Sequence, residues 1–480
     1  MRKTVFKWTV ALAALVFLLA AAAGCGGVDD FLDGEPDVTD EDLLVWSVDP
    51  LVGNYSQRLK LDPADPRALM TKDVVQNFQN AHGVNVVIRN VGWGIELQKQ
   101  LRNAIATNTM PDITVGEQFV RLMVENSQFE PLDLGDSILN NLSPRVKEVG
   151  TSSKDGKLYA AAWAMGNFVL TVNLKVLRDN GVLTPAGAVD PAWRALDPTY
   201  AEIDPLAPDT WEDLLEVCKY LKSKMGSGGG GMLMSNTKSD SAWRALAFMG
   251  TAKGDFLDAN GDVKMNSPEN KKAFEMMRRF AETAPANSIN ATAETGLWRD
   301  YLFKNKAAYI VEGIDILTSV QNDADLDIKD YLASELPTFE AGGVKSNVLV
   351  GSGYYSISKT CNKKAVALEF IKYLLSDAVQ LKVMEADMRV PSMKNVLDSD
   401  AIRALPNYAL MRACIDPFND PDYTFKTFPG FEDNASEIWE KWDTFSGALL
   451  KAGGDGNYAD LTVILDKAHS DMLGKQKGML

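Results

Sequence analysis

The chain has 480 residues, 46% hydrophobic and 24% charged, which suits two or three compact units with enough apolar material for a core in each. A formal charge of −16, from 49 Lys plus Arg against 65 Asp plus Glu, excludes the counterion-release grip on nucleic acid that a basic surface provides. Two His and four Cys leave little material for zinc sites, His-based triads or a disulfide framework, so no metal, no cofactor and no catalytic residue is assigned.

Residues 1–24 read as an export signal. Arg2, Lys3 and Lys7 precede an apolar run from Trp8 to Ala23, which is too short and too poorly flanked to remain as a membrane span. The run ends in Ala21-Ala22-Ala23-Gly24-Cys25, which resembles the lipobox of bacterial lipoproteins, with Ala22 in place of the usual Leu. That resemblance implies a lipidated Cys25 at the mature N-terminus, held to the membrane from the extracytoplasmic side by several acyl chains where one would not suffice. Residues 25–42 are acidic with little apolar periodicity and read as a flexible tether.

From Leu43 a wound sheet is expected. Leu43-Leu44-Val45-Trp46 reads as a strand, Met70, Val74 and Phe78 recur on one helix face, and Val84–Val91 is β-branched. Leu97, Leu101 and Ile105 make a second helical stripe, and Ile113-Thr114-Val115 a third strand. The order β-α-β-α-β implies right-handed crossovers and a parallel sheet. Ligands bind beyond the carboxyl ends of such strands, where Trp46, Trp93 and Glu117 stand.

Gly156 to Leu174 reads as a turn leading into extended chain, and Asn180-Gly181 closes a short helix. Residues 182–209, rich in Pro, Ala and Asp, read as a surface excursion. Thr210-Trp211-Glu212-Asp213 fits a capping box, which makes Trp211 a packing residue at a helix start. The glycines within Met225–Gly231 follow a helix where a dinucleotide site needs a preceding strand, so they are read as a flexible loop. Asp258 to Asp262 reads as a hairpin turn, since Gly261 does not sit where a calcium loop requires it. His82 and His469 have no partner set in the sequence. Ile438, Trp442, Phe445 and Leu449, then Leu461, Ile464, Leu465 and Ala468, describe a terminal helical hairpin. Cys218 reads as a core thiol, and a Cys361–Cys414 bridge stays open.

Several segments taken in order, from VVQNFQNAHGVNVVIRNVGW through GKLYAAAWAMGNFVLTVNLKVL and FKNKAAYIVEGIDIL to VGSGYYSISKTCNKKAVALEFIKYLLSDAVQ and RVPSMKNV, resemble the extracellular solute-binding proteins of bacterial ABC sugar importers, the maltodextrin-binding type. The resemblance covers most of residues 43–397. It implies an α/β, two-lobed periplasmic-binding-protein fold, each lobe a wound sheet flanked by helices, joined by a hinge and closing on a sugar. Lobe 1 is expected over 43–163 and 352–402, lobe 2 over 164–351 and 403–480, with crossings near Trp163–Met165 and Val350–Gly353. The implied ligand contacts are Trp46, Trp93, Glu117, Trp163, Trp298, Glu312, Asp315, Tyr354 and Trp439. The implied partners are a sugar or oligosaccharide and ABC permease subunits with their ATPase, served by a monomer.

The residue types suit that chemistry. Aromatic rings stack on the C–H face of a pyranose, and Glu117, Glu312, Asp315, Asn167 and Arg389 offer partners for hydroxyls, whose burial unpaired costs about 1 to 3 kcal/mol. Two departures from the family pattern bear on the ligand: Ala162-Trp163-Ala164 replaces Pro-Trp-Asp, and Gly313-Ile314-Asp315 replaces Gly-Pro-Trp, a carboxylate where a ring is common. A secreted carbohydrate-active enzyme is the rival reading, because the acidic residues could supply a carboxylate pair; the same fold holding a non-sugar solute is a third.

Overall fold

A computed structural model describes residues 38–48, 51–92, 95–116, 128–152, 154–234, 238–258, 260–286, 288–289, 299–350, 353–426, 435–450 and 459–477. The export signal, Cys25 and most of the acidic tether lie outside them. Among the described residues no helix is long and apolar enough to cross a membrane.

The strands, in chain order, are β1 Leu43–Ser47, β2 Val86–Asn90, β3 Ile113–Val115, β4 Phe129–Glu130, β5 Ala161–Ala162, β6 Ala164–Met165 and β7 Phe168–Asn173. They continue with β8 Gly230–Leu233, β9 Ala307–Gly313, β10 Tyr331–Ser334, β11 Ser346–Val348, β12 Tyr354–Ser358, β13 Val390–Pro391 and β14 Thr424–Lys426. The first sheet runs β2-β1-β3-β12-β4, with β5 also pairing β12, and the second runs β10-β7-β9-β8. Pairings of β1 with β2 and with β3 are parallel, as the β-α-β-α-β reading expects. β12, drawn from more than 200 positions later, joins β3 antiparallel. Two small ribbons, β6 with β13 and β11 with β14, complete the set.

Local chemistry sets the helix ends. Asp65 accepts from the Ala68 amide, Pro66 opens the helix Pro66–His82, and Gly83 closes it at φ 66°; Met70, Val74 and Phe78 are buried on its inner face. Thr210 and Asp213 form the reciprocal capping box at Trp211–Met225. Trp211 is fully buried, stacked on Phe248, with its indole N–H on Thr251 Oγ1 at 2.9 Å. The terminal helices Ala435–Leu449 and Leu461–Gln476 pack on each other, and Trp442 bonds Ser241 at 2.9 Å.

Two readings are corrected, and the open cysteine pairing is resolved. The glycine-rich segment is no free loop: Gly230 and Gly231 begin β8, where a Cβ would stand 2.2 Å from the Thr283 carbonyl and 2.3 Å from Cys218 Cβ. They are glycines because helices close on that strand from both neighbours. Residues 182–209 are not wholly superficial, since Val182, Leu183, Trp193 and Ile203 are buried and Trp193 stacks on Tyr200. Cys361 and Cys414 are free, buried thiols, as is Cys218.

Candidate ligand-binding site

The chain leaves the first sheet at β5 and enters the second at β7, and it returns between β11 and β12. The two passages run side by side. The Val350 amide donates to Gly166 at 2.9 Å, the Gly353 amide to Ala164 at 3.3 Å, and Asn167 bridges Leu349. A third segment joins them, because Val390 and Pro391 pair with Met165 and Ala164. A Cβ on Gly166 would meet the Val350 carbonyl at 2.7 Å and Arg389 Nη1 at 3.3 Å, so the close approach of three chain segments requires glycine there.

Several expected site residues gather around this junction. Trp163, between β5 and β6, is 1% exposed, and Tyr354, opposite Ala162 in register, is 2% exposed. Asn167 is fully buried, its Oδ1 accepting from the Cys414 thiol. Trp46 is half-buried at the carboxyl end of β1. In each of the four a buried polar atom has no hydrogen-bond partner among the described residues: the indole N–H of Trp46 and of Trp163, the Asn167 Nδ2 and the Tyr354 hydroxyl. Burial raises the Tyr354 hydroxyl above the usual tyrosine value, with Glu148 adding to the effect, so it stays protonated. Trp93, Glu117 and Trp298 lie outside the described residues, as does the side chain of Trp439.

Three of the expected polar contacts, Glu312, Asp315 and Arg389, are ion-paired. Glu312, on β9, takes Arg244 at 2.7 Å and Arg299 at 3.3 Å on one oxygen and the Gly313 amide on the other at 3.0 Å. Arg299 also holds Asp315 at 3.0 Å. Arg389 pairs with Asp387 at 3.2 Å, and the same buried carboxylate takes Arg67 at 3.1 Å. Burial alone would lift the Asp315 carboxyl, but Arg299, then Arg389 and Arg67, hold it below the usual aspartate range. The field of Arg389 therefore reaches across from the first sheet's side to the second's. The helices Asp377–Asp387 and Asp315–Asn322, which carry or border these groups, touch each other.

Sequence reading alone missed Arg67, Arg244, Arg299, Asp387, Tyr355 and Cys414. Strand alternation could have found Tyr355, because Tyr354 and Tyr355 must face opposite ways. It is Tyr355 whose ring lies 6.4 Å from that of Trp163. Nothing local marks Arg244, which sits in the otherwise apolar stretch SAWRALAFM.

The arrangement joins two sheets through narrow connecting strands, beside which lie buried N–H groups with no partner among the described residues. No curated protein matches the chain significantly. Among solved structures, the GacH receptor of Streptomyces glaucescens, studied unliganded and with acarbose, matches with TM-score 0.67 and 16% identity over 92% of this chain and 98% of its own. The sugar-binding protein MalE of Xanthomonas citri matches with TM-score 0.67 and 16% identity over 91% and 98%. UgpB of Mycobacterium tuberculosis, in complex with glycerophosphocholine, matches with TM-score 0.67 and 15% identity over 91% and 98%. These likenesses establish the two-lobed α/β fold. The model of the bacterial extracellular solute-binding protein family matches residues 73–410, and with most of its length inside that match the chain belongs to this family.

Proposed function

We propose that the protein captures a sugar or short oligosaccharide between its lobes and passes it to an ABC permease driven by its ATPase, while lipidated Cys25 holds it at the outer face of the membrane. The lobes are assigned to 43–163 with 352–402 and to 164–351 with 403–480. One observation carries the reading: among the described residues, the buried N–H groups of Trp46, Trp163 and Asn167 find no partner at or beside the place where the chain crosses between sheets. Buried polar groups in folded proteins are paired in the great majority, and leaving one unmade costs about 1 to 3 kcal/mol. A ligand that supplies acceptors at this place removes that penalty. Aromatic side chains beside the donors add the apolar face that a sugar ring needs. The solved relatives named above include proteins recorded with acarbose and described as sugar-binding, which agrees with this ligand class.

Thin connections between two sheets favour hinge motion. Contacts drawn from both lobes exist together only in the closed form, so the ligand binds that form better and shifts the population towards it. Small-angle scattering with a ligand verified by calorimetry tests this: the radius of gyration should fall on saturation, and the recovered ligand should be chemically unchanged. Unchanged scattering at saturation, or a cleaved ligand, refutes the reading.

A further inference from the structure

Two buried asparagines stand where the chain crosses between the sheets, and they are used differently. Asn347, on β11, is fully buried and spends its whole amide on backbone. Its Oδ1 accepts from the Phe168 amide at 3.0 Å and the Val348 amide at 2.7 Å, and its Nδ2 donates to the Phe168 carbonyl at 2.8 Å. Asn167, one residue before β7, is as fully buried, yet only one end of its amide is engaged. Its Oδ1 accepts from the Cys414 thiol, and its Nδ2 has no partner among the described residues.

The thiol decides which end of the Asn167 amide is left over. The oxygen of a carboxamide accepts, its nitrogen donates, and the two ends are alike in shape, so a buried amide takes the orientation that its surroundings bond better. Cys414 lies on the helix Tyr408–Asn419, which packs against β7 and β10, and it is fully buried and unbridged. Burial pushes its thiol up to about 12, so at neutral pH it keeps its proton. The Asn167 backbone carbonyl, at 4.0 Å from the sulfur, is a more distant acceptor than the side-chain oxygen. A protonated thiol gives a hydrogen bond to an amide oxygen, whereas its sulfur is only a weak acceptor for an amide nitrogen. The oxygen is therefore the end drawn to Cys414, and the nitrogen end is left to meet a ligand.

We infer that Cys414 is a positioning residue of the binding site: its S–H group holds the Asn167 amide by the oxygen, so that Asn167 presents its N–H donors to an oxygen of the sugar at the crossing. This rests on the sugar-binding reading above and deepens it, because it names a residue that sets the hydrogen-bond polarity of one contact without touching the ligand. A side chain fixed by a neighbour before binding loses less freedom when the ligand arrives. A contact polarised in this way also rejects analogues that lack the matching group.

Two measurements on the full extracytoplasmic chain test this. The first needs no ligand: the S–H stretching band of Cys414, isolated by infrared difference against Cys414→Ala, should move to higher frequency in Asn167→Ala, where the thiol has lost its acceptor. The second is calorimetry with glucose, maltose, maltotriose, cellobiose, glucuronate and acarbose. A member of this panel that binds the wild type should bind Cys414→Ala about fivefold more weakly, the worth of roughly one hydrogen bond. Cys414→Ser, which differs from Cys414→Ala only by a hydroxyl donor, should stay within about twofold of the wild type. A purely structural cysteine would move neither the band nor the difference between these two variants. A band that Asn167→Ala leaves unmoved overturns the inference, as does equal affinity of Cys414→Ala and Cys414→Ser, and in both cases binding by the wild type leaves the sugar-binding reading standing. No binding of any of the six by the wild type overturns both.

Discussion

The Tyr355 hydroxyl meets Ser47 Oγ at 2.5 Å across the intervening strand β3. Ser47 donates its one proton to the Leu51 carbonyl at 3.1 Å, so Tyr355 is the donor of this pair. The bond ties β12 to the carboxyl end of β1, and it places the Tyr355 ring beside Trp163. A strand that arrives late in the chain is thereby locked to the edge where the parallel strands end.

Tyr355→Phe should cost about 1 kcal/mol of stability, the usual net worth of a buried hydrogen bond. Ser47→Ala should cost more, since it also abandons the Leu51 carbonyl. Urea unfolding of both single variants and the double variant should give a non-additive cycle; strict additivity would mean that the two hydroxyls do not interact.

Glu312 is expected to act as a clamp. Glu312→Gln leaves Arg244 and Arg299 short of their shared carboxylate, and breaking a buried pair this way costs about 3 to 5 kcal/mol. The ligand-free protein should therefore melt lower. If its melting temperature is unchanged while ligand affinity falls, Glu312 is a direct ligand contact and the clamp assignment fails.

Trp163→Ala should weaken ligand binding and also lower stability by about 3 to 5 kcal/mol, as truncations of large buried aromatics do. The side chain is 1% exposed, so its truncation opens a cavity in the core as well as removing the indole from the junction. Trp163→Phe keeps most of the packing and removes only the N–H. Calorimetry on that variant should show weaker binding with near-native unfolding, and unchanged affinity would remove the Trp163 N–H from the site.

Acid should weaken the junction in a defined direction. Asp315 is held below its ordinary value of 3.8 in the folded chain by Arg299 and Arg389 against the effect of burial. A carboxyl depressed on folding adds stability that is fully present above its unfolded value and is lost as pH falls through the folded one. Denaturant midpoints should thus drop below about pH 3.8, and Asp315→Asn should flatten that drop. An identical pH profile in the variant would show that Asp315 is not responsible.

Cys218, Cys361 and Cys414 should resist a thiol reagent until the protein unfolds. All are buried and unbridged, and burial pushes the Cys361 and Cys414 thiols up to about 12, where the reactive thiolate is scarce. After denaturation without reductant, mass spectrometry should find all three alkylated; an unmodified Cys361 and Cys414 pair would reveal a disulfide.

Much of the architecture was legible in the chain because its signals are local. The apolar stripe Met70, Val74 and Phe78, the β-branched run before Val91 and the capping residues at Thr210 act within a few positions of themselves. Trp46 was found in the same way, whereas Trp163 and Tyr354 came from the resemblance of whole segments to a family; all three stand at strand ends or crossings. Tertiary structure decided what those residues touch. That Glu312 is shared by two arginines from separate helices, that Asp387 binds Arg67 across roughly 300 positions, and that Gly231 exists to admit Cys218 all depend on contacts between distant segments. Side-chain type states what a residue can donate, accept or fill. Whether that capacity is already used is settled only when the sheets, the connecting strands and their helices close on one another.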